Sequence, residues 1–173
     1  MSKKVVTGVV RLSYAHVWEP AKIGENGKEK YSVSLIIRKD DTETLNKINK
    51  AIDDAIEEGV NTKFGGKKPN KAALKLPLRD GLEKDDPAYE NAFFVNANSN
   101  TAPQIVDKNV EPILDRGECV SGDYARVSIS FYAYNVNGNK GVACGLGNIQ
   151  VIRKGEPLGG KSNATSDFND DFI

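Results

Sequence analysis

Residues 124–146 constrain the fold more than any other stretch of the chain. From Tyr124 to Val136, apolar and polar side chains alternate. Ala125, Val127, Ile129, Phe131 and Ala133 lie on one face, and Tyr124, Arg126, Ser128, Ser130, Tyr132 and Tyr134 on the other. A period of two marks a strand with one buried face. Asn137-Gly138 is the pair preferred by a two-residue type I′ turn, and Lys140 to Leu146 returns antiparallel.

The rest of the chain supplies further strands and one helix. Val5 to Tyr14 reads as a first strand, in which Val10, Leu12 and Tyr14 alternate with Val9, Arg11 and Ser13. After a turn at Pro20 and residues 24–28, Tyr31 to Arg38 forms a second strand with Tyr31, Val33, Leu35 and Ile37 on one face. Asp40 or Asp41 caps a helix whose stripe is Leu45, Ile48, Ile52, Ala55 and Ile56, and Gly59 ends it. Thr62 to Asp86 is a long, polar, basic loop. Phe93 to Ala97 is a strand, residues 98–118 are irregular, and Ile149 to Ile152 adds a short strand. The expected fold is mainly β: an OB-like Greek-key barrel of about five strands with one main α-helix. Residues 1–154 form one domain, and residues 155–173 a flexible linker and disordered acidic C-terminal tail.

The polar face of the 124–134 strand carries the expected interface. Tyr124, Tyr132 and Tyr134 offer rings on which bases stack, and Arg126 pairs with a phosphate or lies flat on a base. Tyrosines are also good strand formers that pack across strands, and the pattern alone does not separate the two roles. Lys67, Lys68, Lys75 and Arg79 of the loop are the expected phosphate contacts, although a solvated surface loop has the same composition. Tyr14, His16 and Trp18 alternate and would share a face. Trp18, the only tryptophan, either stacks a base or anchors the core.

The formal net charge is zero, but its distribution is uneven. Residues 162–173 hold three acids and no Lys or Arg, which leaves 24 basic and 21 acidic residues elsewhere. A mildly basic body with an acidic tail is the pattern of a binder of anions. The tail residues Asp170, Asp171 and Phe172 are the expected contacts to partner proteins. Two cysteines without a CxxC pair, and a single histidine, His16, give neither a disulfide framework nor a zinc site, and little for nucleophilic catalysis. No Walker motif is present. No enzyme activity, metal or cofactor is therefore expected. No apolar stretch approaches the roughly 20 residues of a membrane span, and the N-terminus is a poor signal peptide.

Several segments resemble a family of phage single-stranded DNA-binding proteins. They are residues 11–15, 30–37 and 75–81, and the long stretch from Tyr124 through Gly141 that continues over Cys144 to Gln150. The resemblance covers the chain up to Gly160. It implies an OB-like fold and work in phage DNA replication, recombination or repair; with neither a membrane span nor a signal peptide expected, the chain reads as intracellular, in the host cell cytoplasm. The expectation is a sequence-tolerant binder of single-stranded DNA whose tail recruits replication proteins such as a DNA polymerase. The sequence is also compatible with a homodimer. The competing reading is a structural or assembly protein of the virion that makes only protein contacts.

Overall fold

The computed structural model describes residues 3–23 and 28–158. They form eight strands and one long helix: β1 Lys4–Val6, β2 Val10–Ile23, β3 Lys28–Arg38, α1 Thr42–Thr62, β4 Leu78–Asp80, β5 Ala92–Ser99, β6 Ile105–Val106, β7 Tyr124–Val136 and β8 Asn139–Arg153. Among the described residues no helix is long and apolar enough to cross a membrane.

The β7–β8 hairpin forms around a two-residue turn in which Asn137 and Gly138 both have positive φ, as type I′ geometry requires. The remaining pairings form a circuit. β2 pairs with β3 and β3 with β5; β5 runs parallel to β8, β8 pairs with β7, and β7 returns to β2. β1 extends the edge that β2 presents to β7, with Val5 opposite Ile129. Between them Thr7 replaces the missing ladder bonds: its N–H donates to Val127 O, and its hydroxyl accepts from Val127 N.

The core lies inside this circuit. Val10 and Leu12 of β2, Val33, Leu35 and Ile37 of β3, Val95 and Ala97 of β5, Val127, Ile129 and Phe131 of β7, and Cys144 and Ile149 of β8 are all buried there. The stripe Leu45, Ile48, Ile52, Ala55 and Ile56 of α1 joins the same core. Full burial of a side chain of this size is worth about 1.5–3 kcal/mol. A second, smaller cluster forms on the opposite face of β3 and β5. There Ile36 and Phe94 meet Tyr89, whose ring stands edge-on to Phe94 and whose hydroxyl donates to Ser34 Oγ.

Four expectations change. The sheet has eight strands in place of about five, because short segments of the loops add β1, β4 and β6. The helix is capped by Asp41 and runs through Gly59 to Thr62. Gly59 serves packing: a Cβ there would stand 2.5 Å from the Ala133 methyl carbon. The stretch 62–86 is structured, holding 3-10 turns at Lys71–Ala73 and Gly81–Lys84 as well as β4. Tyr14 does not continue the inward alternation of Val10 and Leu12, because β2 bulges there.

Candidate nucleic-acid interface

The site begins at that bulge. β2 loses register with β3 between Ser13 and His16, and Tyr14 adopts a φ of +47°. A bulge inserts a residue and re-aims its side chain. A bulky residue in the left-handed region is strained, and persists only where its surroundings hold it. Here the next amide, Ala15 N, donates to Ser121 Oγ. The Tyr14 ring is 57% exposed.

The ring borders a trough of about 210 Å³ on the outward face of β3 and β5. In both strands the apolar residues Val33, Leu35, Val95 and Ala97 turn into the core. The intervening residues are short and polar, and they pair across the strands as Ser32 with Asn98 and Ser34 with Asn96. Lys84 closes one side. Its ammonium lies 5.1 Å from the Tyr14 ring centroid, 5.7 Å from that of Tyr89 and 5.3 Å from that of Phe94. Lys84 ends the turn Gly81–Lys84, which Asp80 caps by accepting from Leu82 N. That bond, with help from Lys39, holds the Asp80 carboxyl below the usual carboxylate range. The arrangement combines an open ring, a cation beside it and a floor of amides and hydroxyls, which suits a flat polar ligand carrying negative charge.

The residues expected from sequence are dispersed. Tyr124 is half-buried and already stacked, with the Arg153 guanidinium 3.9 Å and that of Arg11 5.6 Å from its centroid. Arg126 donates through Nε to Thr7 O and faces a cleft beside β1. Tyr132 is exposed opposite Ala143, and Tyr134 lies over Gly141, where a Cβ would come within 2.7 Å of its hydroxyl. Eight residues of strand, roughly 26 Å, separate Tyr124 from Tyr132, so the three tyrosines are not one platform. Trp18 packs against the core and donates from Nε1 to Cys119 O.

Among the loop cations, Lys68 is paired with Glu57, and that bond raises its pKa. Arg79 is paired with Glu83 and lies over Phe94, and the guanidinium holds the Glu83 carboxyl below its ordinary range. Lys67 and Lys75 make no ion pair among the described residues. Backbone bonds from Lys75 to Lys140 and Val142 stitch the loop to β8. Asp170, Asp171 and Phe172 lie outside the described residues.

Sequence reasoning missed Lys84, Ser32, Ser34, Asn96 and Asn98. For the two serines and two asparagines the signal was a small polar residue alternating with Val33, Leu35, Val95 and Ala97 on two strands; Lys84 carried none of that kind.

A family model described as the single-stranded DNA-binding protein of Enterobacter phage Enc34 matches residues 3–172. The chain belongs to this family. Protein p50 of Acyrthosiphon pisum secondary endosymbiont phage 1 is 29% identical, over 96% of this chain and 93% of its own length. The Enc34 family protein, solved in complex with single-stranded DNA, superposes with a TM-score of 0.77 at 23% identity, covering 91% of this chain and 90% of that one. The bacteriophage T7 single-stranded DNA-binding protein gp2.5 gives 0.64 at 15% identity, over 100% of this chain and 98% of that one. At these identities the two structures share the fold with this chain.

Proposed function

We propose that this family member binds single-stranded DNA without strong sequence preference across the outward face of β3 and β5. One observation carries the reading: Tyr14 is held in a left-handed backbone, its ring open to solvent beside Lys84, over the polar trough of Ser32, Ser34, Asn96 and Asn98. A base stacks on Tyr14, a contact tolerant of sequence because every base has a π-face. Lys84 meets the adjoining phosphate, and the asparagines offer donors and acceptors to base edges. Tyr132, Tyr134, Lys67 and Lys75 extend the path along β7, β8 and the loop stitched to them. The circuit of β2, β3, β5, β8 and β7 has the strand order of an OB-type barrel, and the trough lies on the strand pair that such barrels use for oligonucleotides.

The protein acts in phage DNA replication, recombination or repair within the host cell cytoplasm. The acidic residues after Leu158 recruit replication proteins, with Asp170, Asp171 and Phe172 as contacts, a reading supported by a charge and apolar content that differ from those of the body. The deciding experiment is anisotropy of labelled oligo-dT with the wild type, Tyr14→Ala and Lys84→Ala. Both variants should bind at least about fivefold more weakly. Unchanged affinity in both would overturn the assignment of the face.

A further inference from the structure

Beyond Arg153 the chain continues the course of β8 beside residues 121–123, the segment that leads into β7. Gly155 N donates to the Asp123 carboxylate, Glu156 O accepts from Arg11 Nη2 at 2.8 Å, and Leu158 N donates to Ser121 O at 3.1 Å. The fit of this strap is backbone on backbone: Gly122 has a φ of +105°, and a Cβ there would stand 2.0 Å from Glu156 O. The same segment is stitched to β2. Leu12 N donates to Asp123 O, Gly122 N to Leu12 O, and Ala15 N to Ser121 Oγ at 2.9 Å. Ser121 therefore holds the bulge with its side chain and the strap with its carbonyl. The strap ends beside the second contact proposed for DNA. Leu158 packs against Ile36, Tyr89, Ala92 and Phe94. Tyr89 and Phe94 are two of the three rings that surround the Lys84 ammonium.

We infer that Ser121 and Leu158 are positioning residues for the DNA site. Ser121 fixes the left-handed backbone of Tyr14, and Leu158 seats the strap that backs both Ser121 and the rings around Lys84. The inference rests on the proposed binding face. Neither residue lines the trough, so each acts through what it holds. A strained backbone keeps its conformation only while its surroundings enforce it. Once the hydroxyl of Ser121 is lost or displaced, Ala15 N has no acceptor there and the Tyr14 backbone is free to relax, which swings its ring away from Lys84. Unseating Leu158 reaches the same bulge through the Leu158 N to Ser121 O bond, and it also loosens the packing of Tyr89 and Phe94. One short strap thus keeps the ring and the cation in register, although they come from separate parts of the chain.

The test uses the full-length protein. Amide exchange at Ala15, followed by NMR, reads the coupling without DNA. Leu158→Ala should quicken it about fivefold or more, although Leu158 is no partner of that amide. Ser121→Ala and Leu158→Ala should each weaken oligo-dT binding about threefold or more. Their melting temperatures should fall by only about 2–4 °C. Ser121→Thr should keep wild-type affinity, because its hydroxyl also accepts from Ala15 N. Ser121→Ala should add nothing to the loss in Tyr14→Ala, since a residue that acts through the ring then has nothing to act on. Unchanged exchange at Ala15 in Leu158→Ala, or losses that simply add in the double variant, overturn the inference. So does full affinity in Ser121→Ala while Tyr14→Ala binds weakly. Full affinity in Tyr14→Ala overturns the binding face as well.

Discussion

The Lys84 ammonium lies 5.1 Å from the centroid of the Tyr14 ring, and the two residues, 70 positions apart in the chain, line the same trough. Lys84 also faces Tyr89 and Phe94, so three rings fix its position. The Tyr14 backbone is strained, which separates its contribution to stability from its contribution to binding. Tyr14→Gly removes the ring and relaxes a left-handed residue, whose cost is about 1 kcal/mol or more. The melting temperature should hold or rise, while oligo-dT affinity falls by about 1–3 kcal/mol. A calorimetric melt paired with an anisotropy titration reads both; a variant that loses stability and keeps affinity would reverse the assignment.

The cations should separate by whether their charge is already engaged. On single strands, each phosphate neutralised contributes about −0.7 to the slope of log K against log salt. Lys84→Ala should flatten that slope by about 0.7. Lys68→Ala should leave it unchanged, since Lys68 is paired with Glu57. Titrations at three or four salt concentrations give the slopes directly.

Gly81 ties the trough to the core. It is buried, and a Cβ there would stand 2.0 Å from Tyr89 O and 2.7 Å from Ala92 O, both backbone atoms that cannot yield. Gly81→Ala should therefore shift the turn that carries Lys84. Both the urea midpoint and the affinity should fall together, in contrast to Tyr14→Gly.

Both cysteines should be silent in the folded protein. Burial pushes the Cys119 thiol up to about 12, and drives Cys144 in the same direction. A thiol whose folded pKa is raised holds its proton longer than in the unfolded chain. Stability is therefore undiminished below the unfolded value of about 8.5 and declines as pH rises beyond it. Iodoacetamide at pH 8 should label neither residue until denaturant is added.

Asp123 is fully buried, and accepts from Lys154 Nζ, Val120 N and Gly155 N. It fastens the end of β8 to the segment that leads into β7. Asp123→Ala leaves those donors without their acceptor and should cost about 3 kcal/mol, seen as a lower urea midpoint.

The sequence made the β7–β8 hairpin legible because Asn137-Gly138 fixes the turn and the period of two fixes the faces. The helix stripe from Leu45 to Ile56 was equally plain. The trough was not, because it depends on register. Ser32 and Asn98 become neighbours only once β3 is known to pair with β5. Tyr14 was misassigned because a bulge depends on backbone pairing and carries no periodic signal in the side chains. Lys84 sits in a stretch whose Lys, Gly and Pro content resembles a solvated loop, and only Asp80 and Gly81 reveal a built turn.

The order in which the circuit closes has a consequence for synthesis. β1 and the start of β2 find their partner on β7, near the other end of the chain. A ribosome releasing the chain from its N-terminus exposes Val5, Val10 and Leu12 long before Ile129 and Ala125 emerge to cover them. Contacts so distant in sequence also make closure slow, on the millisecond-to-second scale of β-rich domains. A nascent chain that stops short of β7 presents the bare edge of β2, a template for pairing with other chains. The trough proposed to meet DNA draws its lining from residues 14 to 98, yet the bond from Ala15 N to Ser121 Oγ that holds Tyr14 forms only after Ser121 has emerged.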